Sequence, residues 1–127
     1  MEQQKHTISL TEAHRGSVKT TSFTGRPEGK AVRSELNLDT FDLSDNEYNV
    51  VLPSDTTSFN PSFFLGLFFD SIKKLGWDKF SRKYVFDLSN MAAELKTVIK
   101  EDLDECERKA KNELKDFKER SGWYGAK

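Results

Sequence analysis

Ser58, Asn60 and Ser62 place three short polar side chains at alternate positions around Pro61, just ahead of a long apolar run. The spacing suits the mouth of a helix. Asn60 is a favoured N-cap, and Pro61 fits the first helical position, where no N–H is required. Two chemistries are open to this group. The side chains can satisfy the first N–H groups of the helix, which is the commoner use. Alternatively, Ser58 or Ser62 can accept a phosphate, or the group can contact an anion or a partner, because the helix mouth offers free N–H groups and a positive dipole end. Arg26, in Gly25-Arg26-Pro27, has a planar fork that can hold a carboxylate or phosphate, or brace the loop after the central strand.

No set of catalytic residues can be assembled around these positions. His6 and His14, with Cys106 far along the chain, lack the number and spacing of a metal site, so no metal and no cofactor is expected. A turn or solvent-exposed role suits the histidines. Cys106 has no histidine near it in sequence and falls on an apolar stripe, which predicts packing rather than nucleophilic chemistry.

The 127 residues carry 20 basic and 21 acidic side chains, a net charge of −1. That balance argues against a nucleic-acid or anionic-membrane partner. A single cysteine leaves no internal disulfide and fits a reducing compartment. The longest apolar stretch is too short to span a bilayer, and the N-terminus lacks the apolar region of a signal peptide. A cytoplasmic protein is therefore expected.

Around the candidate residues the chain reads as alternating strands and helices. Residues 6–11 and 18–23 predict two short strands joined by a turn, an N-terminal hairpin. Thr24 or Gly25 can cap a short helix in which Pro27 fills an early position, with Ala31, Val32, Leu36 and Leu38 as its apolar stripe. The acidic stretch 39–47 predicts a solvated connector with Phe41 and Leu43 tucked against the core. Residues 48–52 predict a central strand buried on both faces.

Five Phe and two Leu then follow Ser58 within eleven residues. A helix over 61–75, ended by Gly76, must accordingly be buried around most of its circumference. Residues 77–80 read as a turn and 83–88 as a second buried strand. The last helix, about 90–120, carries Leu95, Ile99, Leu103, Cys106, Ala110, Leu114 and Phe117 on one face. At roughly 45 Å it is longer than a domain of this size requires. Its distal part must fold back, pair with another chain or stand in solvent. A homodimer through this helix is one expectation. The aromatic tail, Trp123 and Tyr124 between glycines, suggests a docking plug, a short linear contact or a disordered end.

Two segments carry a family resemblance. Residues 22–33 read Ser-Phe-Thr-Gly-Arg-Pro-Glu-Gly-Lys-Ala-Val-Arg. Val50-Val51-Leu52 is followed by Ser58-Phe59-Asn60-Pro61-Ser62-Phe63 and Leu65-Gly66-Leu67-Phe68. In order and spacing, over residues 16–88, the chain resembles a STAS-like domain family of unknown function. These are small bacterial domains related in architecture to anti-sigma-factor antagonists. The resemblance implies an α/β fold: a small sandwich with an N-terminal hairpin, strands alternating with helices and a long C-terminal helix. Residues 1–127 would form one domain with its core at about 6–88.

The resemblance also implies a regulatory, protein-binding role without catalysis, with a histidine-kinase-type ATPase as a candidate partner. Ser58 and Ser62 match the region that such a kinase modifies. The family's acidic residue at the end of the central strand is replaced here by Leu52-Pro53, so no metal or phosphoacceptor role carries over to that strand end. The rival expectation is a small domain that binds an anionic ligand or nucleotide, with a pocket where Arg26 faces loop 54–58.

Overall fold

The computed structural model describes residues 5–15 and 21–121. In chain order these form β1 (Lys5–Ser9), a 3₁₀ turn (Glu12–Arg15), β2 (Ser22–Phe23), α1 (Arg26–Leu36), α2 (Leu38–Leu43) and β3 (Glu47–Val51). β4 (Ser58–Phe59), α3 (Pro61–Leu75), α4 (Trp77–Lys83), β5 (Tyr84–Asp87) and α5 (Ala93–Ser121) follow. The α/β class and the long C-terminal helix are as expected. Residues 16–20, which hold part of the expected hairpin turn and the start of its second strand, and the aromatic tail lie outside the described residues.

The N-terminal hairpin is a correction. β1 pairs in parallel with β3, and β5 pairs in parallel with the other side of β3, giving the order β1-β3-β5. Ser22–Phe23 pairs in parallel with Ser58–Phe59 rather than with β1. The reason is burial. Phe23 and Phe59 are fully buried neighbours, with ring centroids 5.6 Å apart, and Phe63 packs edge-on against both.

Because β1, β3 and β5 succeed one another in a single direction, crossovers of the usual right hand put both helical connections on one face of the sheet. Register follows this. Ile8, Val50 and Phe86 align on the inner face beside Tyr48 and Tyr84. Thr7, Asn49 and Val85 align on the other face, and Thr7 and Val85 are exposed. β3 is thus not buried on both faces as expected: its side chains alternate between buried and half-buried.

α3 lies in the middle of the helical layer, and from Phe63 to Phe69 every one of its residues is buried. Its ends are where the sequence places them, at Pro61 and at Gly76, whose φ of +79° favours glycine. α1 crosses α3 backbone to backbone. A Cβ on Gly29 would lie 2.2 Å from the Phe63 carbonyl oxygen, and a Cβ on Gly66 would lie 2.1 Å from that of Arg26. α5 runs beside α3, burying Ile99, Cys106, Ala110 and Leu114. The distal stripe is therefore spent on the chain's own core as far as Leu114. Phe117, further on, is partly exposed, with the Lys73 ammonium 5.0 Å from its ring centroid.

Two segments differ from expectation. The acidic stretch after Asn37 forms α2, because Asn37 at φ +61° ends α1 and redirects the chain. Leu38 and Asp42 of α2 are buried, whereas Leu43 is 83% exposed. Residues 77–80 belong to helix α4 rather than a turn, since Phe80 must reach Phe64 and Phe68.

Gly29→Ala and Gly66→Ala are each expected to destabilise the protein by about 1–3 kcal/mol, the usual cost of forcing extra atoms into a packed interior. Urea unfolding measures this. Ser34→Ala, at an exposed position of α1, is the control expected to have little effect.

Candidate functional site

β2, β4 and the first turn of α3 together form an edge rich in hydroxyl and amide groups. The main-chain pairing continues beyond both strands: the Thr57 N–H donates to the Thr21 carbonyl, and the Asn60 N–H to that of Phe23. Side chains repeat the pattern. The Thr21 and Thr57 hydroxyls are 2.6 Å apart, and the Asn60 amide donates to the Thr24 hydroxyl at 3.1 Å. Ser58, Asn60 and Ser62 are therefore brought together as expected, but they do not cap α3. No side chain caps this helix. Asn60 is turned toward Thr24, and the Ser62 hydroxyl accepts the Gly25 N–H at 3.1 Å, joining the start of α3 to the start of α1. Ser58 is half-buried, whereas Thr24, Thr57 and Asn60 are exposed.

A carboxylate from the far end of the chain sits beside this edge. Asp102 of α5 accepts the Phe59 N–H at 2.9 Å. The protein thus supplies its own anion next to the α3 mouth.

Arg26 does not face loop 54–58. Its two terminal nitrogens donate to Glu113 of α5 at 3.2 and 2.6 Å, and its guanidinium lies 5.6 Å from the Phe69 ring centroid. The Glu113 hydrogen bond raises the Arg26 pKa above its ordinary value, outweighing partial burial. The side chain braces a helix rather than the loop. The arginine that reaches the loop is Arg15, buried against Phe23, which donates to Asp55 at 2.7 Å and to Thr56 at 3.0 Å. Arg15 holds the Asp55 carboxyl below its usual range.

The main polar feature that the sequence reading missed lies deeper. Asp42, whose side chain is 0% exposed, accepts hydrogen bonds from Arg33 at 2.8 Å, Ser71 at 2.7 Å and Tyr84 at 2.7 Å. Arg33 also donates to Asp39, to the Ser71 hydroxyl and to the Leu67 carbonyl. Lys74 reaches Asp39 at 3.0 Å. Four elements meet here: α1, α2, α3 and β5. Weak signals were present. Arg33 follows Gly29 by four on the α1 face turned to α3, Asp42 follows buried Leu38 by four, and Ser71 interrupts an apolar helix. Buried at Arg33, Asp42 and Ser71, open to solvent at Asp39 and Lys74, and with its charges paired, the cluster is built for cohesion.

His14 lies in a turn, one of the two roles expected of it, but it is not exposed to solvent. It is buried in the 3₁₀ turn, its Nδ1 accepts the Thr11 N–H, and its Nε2 lies 3.0 Å from Glu35. Cys106 packs under Phe59, and burial pushes its thiol up to about 12. Among the described residues, no group of three or more His, Cys, Asp or Glu side chains is arranged to hold a metal. No helix among them is long and apolar enough to cross a membrane. Comparisons of the chain with protein-family models, curated proteins and solved structures gave no match.

Asp42→Ala leaves the Arg33 guanidinium buried without its innermost carboxylate. A loss of about 3–5 kcal/mol in unfolding free energy is expected, measured by chemical denaturation. Tyr84 adds a pH dependence. Burial and, after it, the bond to Asp42 push its phenol far above the usual range. In the unfolded chain it ionises near about pH 10, while the folded protein keeps the proton. Above that pH the unfolded state binds fewer protons, so stability falls as pH rises. Tyr84→Phe should flatten this alkaline loss in denaturation curves taken at successive pH values. An unchanged slope would contradict the assignment.

Proposed function

We propose that this chain is a non-enzymatic regulatory module of STAS-like type that binds another protein through the edge formed by β2, β4 and the start of α3. The observation that carries the reading is the hydrogen-bonded pairing of the two loops. It holds Thr24, Thr57 and Asn60 exposed on one rigid surface, with Ser58 beside them. Polar groups held in place before binding reduce the ordering cost of taking a partner.

The roles of the expected residues divide accordingly. Asn60 and Ser58 belong to the contact. Ser62 and Arg26 act as internal struts, through Gly25 and Glu113. A histidine-kinase-type ATPase is the partner that the resemblance suggests, with Ser58 as the phosphoacceptor. Phosphorylation there would set a doubly charged group against Asp102, loosening the hold of α5 on β4. Commitment of Arg26 to Glu113 weighs against the rival anionic-ligand or nucleotide site, which relied on that side chain.

The test is to identify what co-purifies with the protein and to measure its affinity for Asn60→Arg and Thr24→Arg variants. Both changes are at exposed positions. Affinity should fall by about tenfold or more, a loss of about 1.4 kcal/mol, with the melting temperature unchanged. Unchanged affinity, together with a thermal shift on adding nucleotides or phosphorylated metabolites that disappears in Arg26→Ala, would establish the rival instead.

A further inference from the structure

β5 is an edge strand. It pairs with β3 on one side, and among the described residues no strand pairs with its other side. In a parallel ladder alternate residues direct their N–H and C=O groups to opposite sides, so half of the Tyr84–Asp87 backbone faces outward. Natural edges are protected by proline, charged side chains, a bulge, a very short strand or a covering helix; β5 is four residues long, and a groove lies between it and the flanking α4 and α5. The sequence Tyr-Val-Phe-Asp contains neither proline nor lysine. Lys83, directly before it, does not guard the edge either, because its ammonium is turned inward to the Ser44 and Asn46 carbonyls.

A groove of about 230 Å³ runs alongside β5 between α4 and α5. Trp77, Phe80, Phe86 and Leu103 provide its apolar surface, and Val85, 39% exposed, stands at its margin. The two charged residues that line it, Asp104 and Glu107, are both acidic. Glu107 is shared with Lys111 at 2.8 Å. Asp104 has no ion-pair partner among the described residues.

We propose that β5 and this groove form a second protein-binding site, which takes an extended segment of a partner by strand addition. Main-chain hydrogen bonds to β5 would supply the sequence-independent part of the affinity, and alternate apolar side chains would enter the groove. The acidic lining selects a segment that also carries Lys or Arg, reaching Asp104. The same charges disfavour a second copy as the occupant. Glu107 is balanced by Lys111, whose ammonium lies 5.6 Å from the Trp77 ring centroid, but antiparallel pairing of β5 with its own copy would bring two unpaired Asp104 carboxylates into one interface, and like charges there are costly. The proposal stands independently of the β2–β4 edge.

The test is selection of a random hexapeptide display library on the full chain, with the enriched peptides then synthesised. Enriched sequences should alternate apolar residues with at least one basic residue. They should shift and protect the amides of residues 84–87 in NMR spectra, and bind Asp104→Lys about tenfold more weakly. Asp104 is exposed, so this variant is expected to fold. Leu103→Asp should abolish binding. Three results would overturn the proposal: peptides that bind Asp104→Lys as tightly as the parent, a selection in which no peptide perturbs the β5 amides, or a homodimer dissolved by Leu103→Asp.

Discussion

Two helices of this protein meet with no side chain between them. Gly29 of α1 and Gly66 of α3 each bring a backbone so near the other helix that even a methyl group would collide with a main-chain carbonyl. Contact of this kind fixes both the separation and the angle of the pair. It also explains how α1, a markedly polar helix, can lie against the most apolar element of the molecule. Close approach allows Arg33, one turn after Gly29, to reach across to the Leu67 carbonyl and the Ser71 hydroxyl. Once there, its charge must be answered, and Asp42 of α2, itself held by the Tyr84 hydroxyl of β5, answers it together with Asp39.

The candidate edge depends on the same geometry at its other end. α1 and α3 start side by side, and the Ser62 hydroxyl accepts the Gly25 N–H that opens α1. The two short strands that precede these helices are thereby held together, with Phe23 and Phe59 beneath them and threonine and asparagine side chains above. α5 completes the arrangement through Asp102 at Phe59 and Glu113 at Arg26. The surface offered to a partner is thus a consequence of helix packing several residues away.

Elements with strong periodicity were legible in the sequence. α3 begins and ends where its proline and its glycine predict, and the four-and-three spacing of α5 names the residues it turns to the core from Leu95 to Leu114, though not the exposed Phe117. β3 and β5 were visible as apolar runs. What could not be read locally was the pairing. Ser22–Phe23 and Ser58–Phe59 are two-residue strands joined in parallel across 36 positions, and adjacency in sequence suggested a hairpin instead. α2 was hidden because its acidic residues suit a solvated connector, while the burial of Asp42 depends on an arginine nine residues earlier. Of the candidate site, the location was legible and the contacts were not. Arg26 was read toward the loop that Arg15 in fact braces, because guanidinium reach is settled by which helix lies opposite.

The most direct measurement of the central claim is native-state hydrogen exchange of the backbone amides. If the Gly29–Gly66 crossing and the Arg33–Asp42 cluster hold α1, α2 and α3 as one unit, the amides of residues 30–35 and 66–72 should exchange only through global unfolding, with equal opening free energies. Exchange of the α1 amides through a separate opening, well below the global free energy and with α3 still protected, would contradict it.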